Sequence, residues 1–191
     1  EINRKGIFSS IPKLIQLNKV FYEDKVSKQS NLFDNEENSN NEKFQLITEE
    51  KWDTKELLSE EFKSLGFYIS DHPLNSFKNI FSSLNIKPYK DYIVDQNNEG
   101  IIAGTLMSIQ EKKSSKGTPF AIAKFSDNFG EYELFIFSEI LVKNREILKE
   151  GESFVMTLFK DVSNDQKRVN VRKVVLLDNL INNNYKKVSI E

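Results

Sequence analysis

Between Gly100 and Leu177 the chain alternates short β-type runs with turn residues, in an order that few folds can use. "GIIAGTLMSIQ" (100–110), "FAIAKFSD" (120–127) and "EYELFIF" (131–137) read as three successive strands. Between them, "KKSSKGTP" (112–119) is a basic loop with turn chemistry at Lys116-Gly117, and "NFG" is a hairpin turn. "SEILVKNREILKEG" (138–151) reads as a helix with Ser138 at its cap and Gly151 just past its end. "ESFVMTLFKDV" (152–162) and "QKRVNVRKVVLL" (166–177) follow as two further strands joined by the polar "SND".

Three strands, a helix, then two strands is the order of an OB-fold, a small Greek-key barrel. The expected fold class is α+β: an N-terminal helix, a flexible acidic linker, a two-helix joint, then a five-stranded OB-fold β-barrel with one helix between strands 3 and 4. The expected boundaries are 1–28 for the helical segment, 29–33 for a short motif taken up below, 34–52 for the linker, 53–99 for the joint, 100–178 for the barrel and 179–191 for a tail. In the first of these, Ile7, Phe8, Ile11, Leu14, Ile15 and Leu17 recur at helical spacing, which predicts an amphipathic helix starting near Pro12. From Asp34 to Glu61 there are ten acids and three bases, with few branched apolar residues, so most of the linker cannot offset its ordering entropy.

Asp53 and Glu56 have the spacing of a capping box. The helix behind them is expected to turn Leu57, Leu58, Phe62 and Leu65 inward and to stop at Gly66. A second helix begins at Pro73, with Leu74, Phe77, Ile80, Phe81 and Leu84 on one face, and ends before Pro88. The chain's one histidine, His72, sits directly before Pro73 and beside Asp71. A residue before proline is driven toward extended dihedrals, and proline suits the first helical position. His72 therefore reads as a helix-start residue, with no Ser or Cys nucleophile suggested near it.

Composition narrows the chemistry. The 191 residues carry no cysteine, which excludes disulfides, thiolate metal sites and cysteine nucleophiles, and a single His excludes a His-based zinc cluster. The formal net charge of −2 gives no global attraction to nucleic acid, so any basic surface must be local. No apolar run approaches a membrane span, and no signal peptide opens the chain. The first residue is Glu1 rather than Met, and the expectation is a piece of a longer intracellular polypeptide.

OB-folds bind oligonucleotides on the face of strands 2 and 3 and on the loop joining strands 1 and 2. Here that loop supplies Lys112, Lys113 and Lys116, and the adjoining strands add Phe120, Lys124, Phe125 and Tyr132. Cations interleaved with flat rings are what single-stranded nucleic acid requires. On strand 5, alternation puts Arg168, Asn170 and Arg172 on one face and Val169 and Val171 on the other. Of Phe120, Phe125, Phe135 and Phe137, most are expected inside the barrel. The candidate nucleic-acid-binding set is Lys112, Lys113, Lys116, Phe120, Lys124, Arg168 and Arg172. A second motif is "QSNLF": Leu32 and Phe33 would fill an apolar pocket of a partner while Gln29 bonds at its rim. The alternative is that these residues end the preceding helix.

"EEFKSLGFYISDHPLNSF" (60–77) closely resembles the segment preceding the OB domain in the bacterial DNA polymerase III alpha subunit family, and "KGTPFAIAKFSDNFGEYELFIFSEILVKNREILKEG" (116–151) is similar to the opening of that domain. Where family members often carry Gly-Lys, this chain has Gly117-Thr118. The resemblance implies that Gln29, Leu32 and Phe33 contact the β sliding clamp, that the barrel binds single-stranded template DNA, and that other polymerase III holoenzyme subunits are partners. It also implies a bacterial cytoplasmic location and no membrane partner. The family's nucleotidyl-transfer centre binds two magnesium ions in a domain upstream; no catalytic motif and no cofactor are expected in this segment. Two rival readings stay open: the anticodon-binding OB domain of a class II aminoacyl-tRNA synthetase, and a protein-docking barrel that binds no nucleic acid.

Overall fold

The computed structural model describes residues 3–27, 44–163 and 166–182. The chain divides into two compact units, Glu1–Leu57 and Leu58–Glu191. Gln29, Leu32, Phe33 and the linker as far as residue 43 lie outside the described residues.

In the first unit, α1 spans Arg4–Ser27 and so begins well before Pro12. Asn3 is the reason. Its side-chain oxygen accepts the Gly6 amide at 3.0 Å, and its carbonyl accepts the Ile7 amide at 3.1 Å, which makes it the N-cap. Pro12 is carried inside the helix, where it omits one amide bond. Residues 44–52, without helix or strand, lie along α1. The buried Ser10 hydroxyl donates to the Gly6 carbonyl at 2.6 Å and accepts the Ile47 amide at 2.9 Å. Gly6 is what permits the approach, since a Cβ there would stand 2.3 Å from the Ile47 carbonyl oxygen. Phe8 and Trp52 close the contact with ring centroids 5.8 Å apart.

The expected capping box forms at the start of α2, Thr54–Leu65: the Glu56 amide donates to Asp53 Oδ1 at 2.7 Å and the Asp53 amide to Glu56 Oε2 at 3.4 Å. Leu58 is buried as expected, but Leu65 is 49% exposed, and the inward position is taken by Glu61. The helix needs that carboxylate there. Glu61 Oε1 accepts the amides of Ile69 and Ser70, the latter at 2.8 Å, while Oε2 accepts the Ser70 hydroxyl at 2.6 Å. Three donors from the chain leaving Gly66 (φ 79°) thus converge on one side chain.

His72 is the N-cap of a 3-10 turn, Pro73–Phe77, that runs into α3, Lys78–Ser83. Its Nδ1 accepts the Leu74 amide at 3.2 Å, which requires that nitrogen to be unprotonated, and its Nε2 lies 3.0 Å from Ser126 Oγ on the barrel. Burial pushes the His72 imidazole below its ordinary value, against the opposing influence of Asp127 and Asp71. The one histidine is therefore a neutral cap that pins the joint to the barrel wall. A short α4, Tyr89–Val94, follows Pro88; six residues are too few to show a helical period in the sequence.

The barrel is closed in the order β1-β2-β3-β5-β4, with β1 Glu99–Lys113, β2 Pro119–Asp127, β3 Gly130–Phe137, β4 Ser153–Ser163 and β5 Gln166–Leu176. Helix α5, Ser138–Asn144, lies between β3 and β4, shorter than the 138–151 predicted from the sequence. This is the OB-fold, in an α+β chain. The long β1 serves both edges, pairing with β4 through Thr105 and with β2 beyond it, and the single parallel pair Phe135 to Asn170 closes β3 onto β5. Tyr92 of α4 fills the interior with Phe125, Phe154 and Met156.

Outside the barrel, Leu74, Phe77 and Ile80 of the joint pack with Ala103 and Val155, register partners on β1 and β4. Helix α6, Leu177–Asn182, joins this layer through the fully buried Leu177 and the partly buried Leu180. The joint thus covers the β1–β4 side.

Candidate nucleic-acid interface

Strand register builds the opposite side of the barrel in rows. Directly paired residues share a face, so the outward face of β1, β2 and β3 reads Lys112–Phe120–Phe137, then Gln110–Ile122–Phe135, then Ser108–Lys124–Glu133. Asn170 of β5 extends the middle row beside Phe135. Between these rows, the β1–β2 turn and α4 lies a groove of about 910 Å³, lined by Tyr89, Phe120, Phe135, Phe137, Glu133 and Asn170 among others.

The aromatic residues differ from expectation. Only Phe125 is inside, at 0% exposure, whereas Phe135 and Phe137 are 47% and 49% exposed and Phe120 is half-buried. Phe120 and Phe135 lie nearly parallel at 28° with centroids 6.5 Å apart. The signal was present in strand parity: in "EYELFIF", Phe135 and Phe137 alternate in phase with Glu131 and Glu133, while Tyr132, Leu134 and Ile136 form the buried set. At the back of the groove Tyr89 stacks on Tyr132 at 4.1 Å and 11°. Its amide donates to Asp127 Oδ2 at 3.0 Å, which fixes α4 against the β2–β3 turn. Burial pushes both phenols up, so the pair is neutral around pH 7.

The predicted cations separate into distinct environments. Lys112 belongs to the outward row with Phe120, Lys113 alternates to the other side of β1, and Lys116 sits in the turn. All three are exposed and without an ion pair among the described residues. The turn is held by the Ser114 amide on the Thr118 carbonyl at 2.9 Å and by Gly117 at φ 78°. Lys124 faces the groove side, but its ammonium is 2.6 Å from Glu131. Arg172 falls at a register shift, since Leu158 pairs with Val171 and Thr157 with Lys173; its guanidinium lies 4.7 Å from the Phe159 ring centre. The bulge takes Arg172 out of the simple alternation with Asn170. The backbone of Arg168 pairs with Asp161. Lys160, missed from the sequence, reaches the groove wall while its Nζ donates to the Asp95 carbonyl at 2.7 Å and stands 4.4 Å from the Tyr92 ring centre. Among the described residues no group of three or more His, Asp or Glu is placed to hold a metal ion, and no helix is long and apolar enough to cross a membrane.

No family model matches the chain. Curated relatives do. The DNA polymerase III subunit alpha of Rickettsia bellii is 32% identical over 157 residues, covering 81% of this chain and 13% of that protein. The same subunit of Borreliella burgdorferi is 30% identical over 190 residues (93% and 16%), and that of Buchnera aphidicola 27% over 183 residues (92% and 15%). The chain therefore spans 13–16% of the length of these relatives. Among solved structures, a mitochondrial single-stranded DNA binding protein from S. cerevisiae overlaps at TM-score 0.34 and 14% identity, covering 41% of this chain and 94% of that one. The SSB domain of a Synechococcus protein overlaps at 0.34 and 14%, covering 42% and 96%. At that level neither overlap adds to the strand order already described. The sequence similarity, by contrast, runs through joint and barrel together: this chain is a relative of one segment of the bacterial DNA polymerase III alpha subunits.

Proposed function

We propose that this chain is a DNA-handling segment of a replicative DNA polymerase, and that its barrel holds single-stranded DNA on the β2–β3 face. The observation that carries the reading is the outward row of Lys112, Phe120 and Phe137 beside Phe135. It sets rings for stacking next to a cation for phosphate, on a face of the barrel away from the β1–β4 layer under Leu74, Phe77 and Ile80. The relatives bear a polymerase subunit's name and support the same context. In this reading nucleotidyl transfer and its magnesium belong to other parts of the parent enzyme. Segment 29–33, with Gln29, Leu32 and Phe33, is the tether to the sliding clamp. The location is the bacterial cytoplasm.

The test is the anisotropy of a labelled single strand against the chain and its Phe135→Ala/Phe137→Ala variant. Each lost stack is worth ~1–3 kcal/mol, so the double variant binds at least tenfold more weakly. Both rings are half exposed, so their removal takes nothing from the buried core. Equal binding by variant and parent overturns the reading. For the tether, a labelled peptide of residues 25–37 binds the β clamp at micromolar level and loses that binding with Leu32→Ala/Phe33→Ala; an unbound parent peptide removes the tether.

A further inference from the structure

The lysine turn and the aromatic row account for phosphates and stacking, but not for an acidic group set among them. Glu133 stands on the same outward face of β3 as Phe135 and lines the groove. Its register partner is Lys124, yet that ammonium is committed to Glu131 at 2.6 Å, leaving Glu133 without an ion pair among the described residues. An unneutralised carboxylate beside a phosphate path costs affinity unless it meets a donor. Across the strand from Phe135, on β5, is Asn170, which also lines the groove. Side chains two apart on a strand are separated by ~6.6–6.8 Å and neighbouring strands by ~4.8 Å, so a base lying on Phe135 has its edges within reach of both groups.

We infer that this groove contains a base-selecting subsite, resting on the single-stranded-DNA reading above, in which Glu133 and Asn170 favour a base with an exocyclic amine over thymine. The pairing follows from donor and acceptor inventories. A carboxylate accepts and never donates, so it bonds the N4 amine of cytosine or the N6 amine of adenine. The Asn170 amide donates to the adjacent ring nitrogen. Thymine presents the O4 acceptor at the same edge and meets the carboxylate with two like-signed oxygens. The charge layout agrees: Lys112 and Lys116 lie at the β1–β2 end and Glu133 at the β3 side, so the phosphates run along the lysines and the base edges point toward Glu133.

The experiment compares labelled oligo-dC and oligo-dT of equal length at pH 8, where cytosine is unprotonated, with the full chain and with Glu133→Ala. The expected result is dC bound about fivefold to tenfold more tightly than dT by the full chain, within the range of one specific base contact. In Glu133→Ala the preference falls to near unity, chiefly because dT binding improves. Measurable binding with no dC preference, or a preference unchanged in Glu133→Ala, overturns the subsite and leaves the binding face in place. No binding of either strand overturns both.

Discussion

Glu61→Ala tests what holds the joint together. The side chain is 7% exposed and its carboxylate receives the Ile69 amide, the Ser70 amide and the Ser70 hydroxyl. A hydrogen bond to a charged group is worth ~1.5–3 kcal/mol net when its donors have nowhere else to go. Here Ile69 is 66% exposed and Ser70 is exposed, so water reaches the released donors and each loss drops below that range, to the ~1 kcal/mol of an ordinary net hydrogen bond. Three such losses at ~1 kcal/mol each give ~3 kcal/mol, or a fall in melting temperature of ~6–12 °C for a chain of this size. Glu61→Gln keeps one acceptor oxygen for the two amides, and the Ser70 hydroxyl can turn to accept from the new amide; only the charge assistance goes, at ~1 kcal/mol. Urea midpoints followed by circular dichroism read the global loss, and amide hydrogen exchange at Ile69 and Ser70 reads the local one. If the Ala variant stays within ~0.5 kcal/mol of the parent with both amides exchanging as before, or if Gln is as damaging as Ala, the account of the joint is wrong.

The neutral cap and the barrel interior respond to single substitutions as well. The folded pKa of His72 is lowered below its unfolded value of 6.5, so the unfolded chain binds more protons just below that pH. The stability it contributes is present above pH 6.5 and declines as pH falls from there through the folded value. His72→Asn, which keeps an acceptor for the Leu74 amide, flattens urea midpoints measured from pH 7 to pH 5. Gly104→Ala would place a Cβ 2.2 Å from the Tyr132 hydroxyl and 3.2 Å from Phe125 Cβ. Tyr132 is buried and its hydroxyl donates to the Ala103 carbonyl at 3.1 Å, so relief must move the core, at ~1–3 kcal/mol by thermal melting.

How much of this was legible depends on where the physics is local. Alternation along 100–177 gave the strands and their order, because a half-buried strand must repeat every second residue. The Asp53–Glu56 pair and the His72-Pro73 start are local bonds and read directly. The start of α1 did not: Asn3 as a cap is one residue, and it overrode the punctuation offered by Pro12. The inward Glu61 was hidden because its justification lies eight and nine residues downstream, in the Ile69 and Ser70 amides. Residue type puts most of Phe120, Phe125, Phe135 and Phe137 inside, but the phase of Phe135 and Phe137 with Glu131 and Glu133 places those two outside. That Lys124 is bound by Glu131, and that a bulge displaces Arg172, are facts of register and rotamer that a linear pattern does not contain.

Single-stranded DNA held on the β2–β3 face and the lysine turn must bind with a salt dependence set by those lysines, which a titration reads. Three exposed cations, Lys112, Lys113 and Lys116, should release counterions with a log–log slope of about −2, from ~0.7 per phosphate neutralised on a single strand. Replacing all three with Gln is expected to bring the slope near zero and to weaken binding at low salt. A slope unchanged in the triple variant, or no binding by the parent chain even at about 50 mM salt, would contradict the account.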